Sequence, residues 1–379
     1  MFLKIVYFFF KLIGLAPFAV NKYQSSIRVH YSKNGNLYNC LLIIFGLYLS
    51  FQTYKKYLNS EFPVRSDLSP EFLLVKALLG LISLIYFWTA ICLKQESALR
   101  IYHKLIEVDK LTSQDLKHAT YNSLKKIVII YCSINLFLWI SIMISDMLAL
   151  DSLFKSTWLI MGLPRFIESW FMIQYGLMAN LQKNRFKEVN NSFRNLAGNF
   201  MVSVLDEKII LEDFRRFKHL YNQLYEMTIE ISSYFSFLTF IIITYFCGTI
   251  VYTTYYLFSP FIHDIKNYTY FFTINSTLYL CMEMFPIVVL CVNISALTNE
   301  IPGINTVIYN IMDRCMDNTE VLLEIKRFSM TLLTRNNQFT AYNFFPINCT
   351  LLHTIISTTA TYLVILFQFQ HDSQEDDEN

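Results

Sequence analysis

Seven stretches of this 379-residue chain stay apolar long enough for a helix through each to cross about 30 Å of hydrocarbon, for which about 20 residues suffice. They run from Leu37 to Tyr54, Phe72 to Leu93, Ile127 to Leu150, Thr157 to Leu181, Tyr234 to Phe258, Tyr270 to Leu297 and Cys349 to Phe369. The first is the most diluted, by Gly46, Ser50 and Gln52. Composition agrees: 54% of residues are hydrophobic and 16% charged, where soluble domains carry about a quarter charged. The expected fold class is therefore an all-α membrane protein of seven transmembrane helices.

Lys and Arg in the connections set the orientation, because basic loops stay cytoplasmic. With the N-terminus inside, the inner segments hold 24 of the 31 basic residues and the outer ones five; Lys76 and Arg165 lie within spans. The expected topology is a cytoplasmic N-terminus and an extracellular C-terminus, with the acidic tail HDSQEDDEN outside. That is opposite to G-protein-coupled receptors. The Asn267, Tyr268, Thr269 sequon then falls in an outer loop, and Asn190, Asn191, Ser192 falls inside. At the start, Lys11 interrupts the apolar run and Phe18 spoils the candidate cleavage region, so removal of a signal peptide is not expected. Lys4 and Lys11 among Phe and Leu suit a short helix lying on the cytoplasmic surface.

The large inner connections have helical periodicity. Residues 182–233 repeat apolar positions such as Phe186, Val189, Phe193, Phe214, Phe217 and Tyr221, so the neighbouring spans are expected to continue as amphipathic helices. Residues 304–335 behave likewise after a break at Pro302 and Gly303. Such helices need an apolar partner, either within the subunit or between subunits. The chain accordingly divides into a six-helix ligand-binding region (1–297) with helical extensions (182–233), anchor helices (298–348), and a last helix with a short acidic tail (349–379).

Nothing in the sequence points to catalysis. The seven histidines form no HExxH, and no GxSxG, GxGxxG or phosphate-binding loop occurs. The eight cysteines show no zinc-type spacing, so no metal and no cofactor is expected. Intramembrane charges are the better lead, since each costs about 2.5–3.5 kcal/mol at a span centre and needs a partner or water. Arg165 and Glu168 stand three apart on one face of the fourth span and can pair; Asp146, near the outer end of the third, can join them, and Glu283 beside Pro286 is a similar case. These charges either line a cavity open to the outside or fix helix packing. Aromatic and polar residues gather in the same outer halves: Trp139, Trp158, Trp170, Tyr245, Tyr252, Tyr255, Tyr256 and Tyr279, with Thr249, Thr253 and Asn275. Small-molecule pockets have this makeup, and so do interfacial belts. Tyr255 and Tyr256 are assigned to the belt. Asp146, Trp158, Arg165, Glu168, Trp170, Thr249, Tyr252, Asn275 and Tyr279 are the candidate ligand-binding residues.

The last span carries a polar stripe: from Gln368, steps of three or four residues reach Val364 or Ile365, Thr361 and Ser357. Its end, Thr361, Tyr362, five mostly apolar residues, Gln368 and Phe369, resembles the C-terminal signature of insect gustatory receptors. The opening FFFKLIGLAPF is similar to that family's N-terminal stretch, and the length and short outer loops also fit.

The resemblance implies a ligand-gated, non-selective cation channel in the plasma membrane of chemosensory neurons. It implies a homo- or heterotetramer whose last helices line one pore, with Gln368 and Phe369 near the gate and Ile365, Val364, Thr361 and Ser357 on the same helix. The partners implied are a small-molecule tastant, permeating cations, other receptor subunits and the bilayer, with no nucleic acid. It places the ligand pocket among the helices holding the aromatic and charged residues, and raises the inter-subunit reading of 182–233 and 304–335. Sugar-receptor members carry an acidic residue directly after the Thr-Tyr pair, where this chain has Leu363. A bitter or otherwise aversive compound is therefore expected rather than a sugar. A divergent insect odorant receptor, a small-solute transporter using Arg165, Glu168 and Asp146, and a metabotropic receptor remain as alternatives.

Overall fold

A computed structural model describes residues 2–23, 26–58, 70–111, 114–150, 158–202, 207–263, 270–314, 319–335 and 338–378. Helix α1 (Phe2–Leu12) leads into a hairpin of β1 (Ala19–Tyr23) and β2 (Ser26–His30). Then follow α2 (Lys33–Leu58), α3 (Pro70–Leu93), α4 (Gln95–Leu111) and α5 (Gln114–Leu150). A π-helical turn, Trp158–Gly162, opens α6 (Leu163–Val202). Next come α7 (Glu207–His263), α8 (Tyr270–Glu300), α9 (Gly303–Arg314) and α10 (Thr319–Leu333). A second hairpin, β3 (Thr340–Ala341) with β4 (Phe345–Pro346), precedes α11 (Cys349–Glu378).

Six stretches among the described residues are helical, long and apolar enough to cross a membrane: Lys33–Leu58, Leu74–Leu93, Leu124–Leu148, Leu211–Phe258, Thr273–Met312 and Cys349–Gln368. The expected span 157–181 is not among them, although α6 runs unbroken through most of it. The physical reason is its position. Ile167, Glu168, Ser169, Trp170, Phe171, Met172, Ile173 and Tyr175 are all buried, so α6 is enclosed by other helices and its outer surface has no need of apolar side chains. By contrast α2 and α5 expose rows of large apolar residues, among them Leu41, Ile44, Leu47, Phe51, Ile130, Phe137, Ile140 and Ile144, a surface suited to lipid.

The ends of the helices follow from residue chemistry. Pro164, the second residue of α6, directly follows the π-helical turn and, as a proline, donates no backbone hydrogen bond. Pro286 inside α8 removes the hydrogen bond that the Met282 carbonyl would otherwise accept. The break between α8 and α9 falls at Ile301 and Pro302. Both α6 and α7 are single helices, 40 and 57 residues long, and their apolar extensions meet α9 and α10. There Phe193, Phe214 and Phe328 form one buried aromatic group, with ring centroids 5.8–6.2 Å apart. Asn190 donates to the Glu300 carbonyl at 3.0 Å, and the Tyr221 hydroxyl donates to the Ile301 carbonyl at 2.9 Å. Arg335, past the end of α10, stacks 4.2 Å from the Tyr225 ring centroid and donates to Asn222 Oδ1 at 2.6 Å.

The N-terminal segment is seated more deeply than a surface helix. Ile13, Leu15, Ala16 and Phe18 are buried, and the backbone carbonyl groups of Ile13, Gly14 and Pro17 are held by the helices around them. Trp88 Nε1 donates to the Ile13 carbonyl at 3.2 Å, Asn39 Nδ2 to that of Gly14 at 3.0 Å, and Gln95 Nε2 to that of Pro17 at 3.0 Å. Gly14 adopts φ +83°, open to glycine at little cost, and a Cβ there would meet Leu42 and Trp88 at 2.8 Å. Phe9 and Phe10 of α1 pack edge-on against Trp170 of α6. The short helix expected from the sequence is present as α1, which exposes Phe8 and Leu12, and the deeply buried residues follow it.

Candidate functional site

In the half of the bundle where α5 ends and α6 and α8 begin, buried polar side chains converge from five helices. Arg165 on α6, 4% exposed, pairs through Nη1 with Glu283 Oε1 on α8 at 3.3 Å. Its guanidinium carbon also lies 5.3 Å from the Tyr279 ring centroid. Thr253 of α7 donates to Glu283 Oε2 at 3.3 Å. One turn away, Asp146 of α5 accepts two hydrogen bonds from α8: Asn275 Nδ2 to Oδ1 at 2.9 Å and the Tyr279 hydroxyl to Oδ2 at 2.6 Å. Charged donors and aligned dipoles of this kind offset the desolvation of a buried carboxylate.

Glu168 is placed differently. Its Oε1 accepts a short hydrogen bond from Ser83 of α3, whereas Oε2, fully buried, has no protein partner. Arg165 and Glu168 share a helix face, where the charge of Arg165 reaches Glu168, while its close ion pair is the cross-helix one with Glu283. An arginine fork reaches an acceptor on a facing helix more directly than one on its own turn.

The other candidates divide into those brought to this cluster and those placed elsewhere. Asp146, Arg165, Asn275 and Tyr279 belong to it directly. Thr249 is buried, and its hydroxyl donates to the Phe246 carbonyl at 3.0 Å. Tyr252 lies under Lys76 of α3, whose Nζ is 3.2 Å from the ring centroid. Trp170 is 1% exposed with Phe9, Phe10 and Phe166 as its ring neighbours, under the N-terminal helix. The side chains of Trp158 and Phe369 lie outside the described residues.

Helix α11 separates two faces. Leu351, Ile355, Thr359, Leu363 and Phe367, spaced by four, are buried or half-buried against the body of the chain. Ser357, Thr361, Val364, Ile365 and Gln368 are all exposed. At the far end, Phe367 stacks on Tyr255 of α7, with ring centroids 5.4 Å apart and planes at 26°. Tyr255 packs on Tyr256, and Tyr256 on Tyr252 at 4.6 Å, so rings continue from this end of α11 back to Lys76.

Residues outside the sequence-based set complete the site. Ser83 supplies the partner of Glu168. Gly80 admits the Tyr245 hydroxyl, which would lie 2.6 Å from a Cβ at that position. Farther along the α5, α6 and α8 interface, Trp139 donates to Ser169 at 3.2 Å, and Asn180 donates to Asn293 at 2.8 Å. Helical periodicity places such groups on inward faces, but only the tertiary arrangement shows which of them meet. No group of three or more His, Cys, Asp or Glu suited to a metal ion occurs among the described residues.

Comparison with known proteins gives concordant results. Residues 3–372 match the family described as 7tm Chemosensory receptor. Over 49 residues, 13% of this chain, the sequence is 51% identical to the candidate gustatory receptor 2a of Drosophila melanogaster; the match spans 11% of that relative's length. In fold, the chain is similar to the olfactory receptor OR5 of Machilis hrabei, with a TM-score of 0.70 over 97% of this chain and 98% of that one, at 12% identity. The same receptor in complex with eugenol gives a TM-score of 0.64 over the same shares, at 13% identity.

Proposed function

Because the chain belongs to the 7tm chemosensory receptor family, whose members are multi-pass membrane receptors and not enzymes, we propose that it is a gustatory receptor working as a ligand-gated, non-selective cation channel. The observation that carries the channel reading is the partition of α11. One row of residues packs on the subunit, while Ser357, Thr361, Val364, Ile365 and Gln368 remain on the outward face. Hydroxyls and an amide facing away from the subunit suit a water-filled axis shared between copies better than lipid. In this reading four chains surround the pore as a homo- or heterotetramer, α6 is the seventh span, the N-terminus is cytoplasmic and the C-terminus extracellular.

The tastant enters from the outside and binds among α3, α5, α6, α7 and α8, where the Arg165–Glu283 pair, Asp146, Tyr279 and Tyr252 stand together. The structural neighbour solved with eugenol shows that this fold can accept a small aromatic molecule. Leu363, at the position after the Thr-Tyr pair, favours a bitter or aversive compound over a sugar. Ligand binding opens the gate only to the extent that it favours the open state.

The test is patch-clamp recording of the full chain and of Gln368→Ala. An altered unitary conductance or cation permeability ratio supports Gln368 in the pore, and unchanged permeation places the pore elsewhere. A second reading, an odorant receptor of the same architecture, is favoured by the fold likeness to OR5. Responses to volatile rather than contact stimuli would select it.

A further inference from the structure

We infer that the outward strip of α7 between α3 and α11, ending on the β3–β4 hairpin, seats one phospholipid of the surrounding bilayer. This lipid seat is separate from the tastant site and from the pore, and needs only that the chain is a membrane receptor. Phe240, Thr244 and Gly248 stand four apart on one face of α7, over about 12 Å of helix. Thr244 and Gly248 are exposed, and a Cβ built on Gly248 meets no atom within 4 Å, so the helix surface is open there. On one flank, Tyr245 fits against Gly80 of α3 and Tyr252 lies under Lys76. Two turns beyond Gly248, Tyr255 is stacked on Phe367 of α11.

At its other end the strip meets a row of rings. Tyr86 of α3 lies edge-on to Phe237 of α7 at 5.6 Å, Phe237 to Tyr342 at 4.8 Å, and Phe344 stacks on Phe240 at 4.6 Å. Tyr342 and Phe344 are nevertheless 55% and 69% exposed, on a turn that is firmly held. The Tyr342 N–H donates to Ser236 Oγ at 2.7 Å, and the Ser236 hydroxyl donates to the Thr340 carbonyl at 3.1 Å. Large rings fixed outward in a patch mark a contact surface. Two observations identify lipid as the occupant. The rings continue an exposed apolar row of α3, Val75, Leu79, Ile82 and Tyr86, at helical spacing, a surface suited to hydrocarbon. Just past the end of α3, half-buried Lys94 donates to the Tyr234 carbonyl at 3.4 Å, two residues from the serine that holds the hairpin. Its positive charge matches a phospholipid's phosphate, with the acyl chain running along Thr244 and Gly248.

The test titrates the purified full chain, stripped of lipid in detergent, with dioleoylphosphatidylcholine and reads its melting temperature. The wild-type chain is expected to show saturable stabilisation. Gly248→Leu fills the open strip and is expected to raise the half-maximal lipid concentration about tenfold. Its lipid-free melting temperature should not fall, because leucine favours helix over glycine. Phe344→Ser, at an exposed ring, is expected to raise the half-maximal concentration by a similar factor. Ile140→Ser, on the exposed apolar row of α5, is expected to leave it within about twofold. Gly248→Leu and Phe344→Ser curves no different from that of Ile140→Ser overturn the inference. A second readout identifies the occupant: p-benzoylphenylalanine in place of Phe344, irradiated in native membranes, is expected to add the mass of one phospholipid. A cross-linked pair of subunits would show that a second copy covers the rings, and an unmodified chain that nothing does; either result overturns the lipid seat.

Discussion

Arg165 and Glu283, on different helices, form a buried ion pair, and Glu168, three residues from Arg165 on its own helix, accepts its hydrogen bond from Ser83. The pair ties α6 to α8 at 3.3 Å with both side chains at most 5% exposed. Removing one partner strands a buried charge and costs about 3–5 kcal/mol, whereas replacing both with apolar residues of similar size is near neutral. Arg165→Met and Glu283→Leu are therefore each expected to lower the melting temperature of the purified protein strongly. The double variant is expected to recover most of the loss. Additive losses would mean that the two side chains act independently.

Gly80 is a second point where packing allows no freedom. A Cβ there would stand 2.6 Å from the Tyr245 hydroxyl and 3.5 Å from Pro164. Gly80→Ala is expected to destabilise the chain by about 1–3 kcal/mol through overpacking. Tyr245→Phe in the same chain removes the clashing oxygen and should restore much of that loss. Melting curves of the two single variants and the double variant read this directly.

The sequence makes the long apolar helices legible because lipid demands them, and it makes the α11 stripe legible because Ser357, Thr361 and Gln368 obey helical spacing. It does not reveal which helix lies at the centre. Enclosed α6 lacks the apolar surface by which a span is recognised, since its neighbours supply what lipid would otherwise require. Pairing across helices is equally hidden: spacing shows that Arg165 and Glu168 share a face, but not that Glu283 stands opposite. The buried N-terminal segment is recognisable only through its backbone carbonyl groups, held by Trp88, Asn39 and Gln95 from helices far along the chain. The β3–β4 hairpin depends on Tyr342 and Asn343 at φ 49° and 62°, and Tyr342 is a residue that seldom announces such a turn.

Near the junction of α7 with α10, Lys218 of α7 donates to Glu324 of α10 at 2.9 Å. That hydrogen bond holds the Glu324 carboxyl below its ordinary value of 4.5. A depressed acid contributes stability that is present above the unfolded value and lost as pH falls through the folded one. The wild-type chain should therefore melt above Lys218→Ala near neutral pH, by an amount corresponding to about 0.2–1 kcal/mol. The gap should close as pH falls below about 4.5. Lys104 behaves oppositely: its hydrogen bond to Glu230 at 2.8 Å raises it above 10.5, so its contribution is complete below that value and lost in stronger base. A Lys218→Ala gap that persists into acid would show that packing of the lysine stem, and not its charge, joins α7 to α10.

Phe367 directly precedes Gln368 and is half-buried in the α11 seam, stacked on Tyr255 at 5.4 Å. Tyr255 belongs to the same turns of α7 as Thr253, which donates to Glu283 in the polar cluster. A shift of that end of α7 on ligand binding would bear directly on the ring beside Gln368, the proposed gate residue. Paired aromatic rings contribute about 0.5–1.5 kcal/mol beyond their burial, enough to move a gating equilibrium several-fold. Tyr255→Leu and Phe367→Leu are each expected to shift the half-maximal ligand concentration for current by several-fold, with binding measured by thermal shift unchanged. In the double variant the shift should be no larger than in either single variant, because both remove one contact. Shifts that add would show that Tyr255 and Phe367 influence the gate by separate routes.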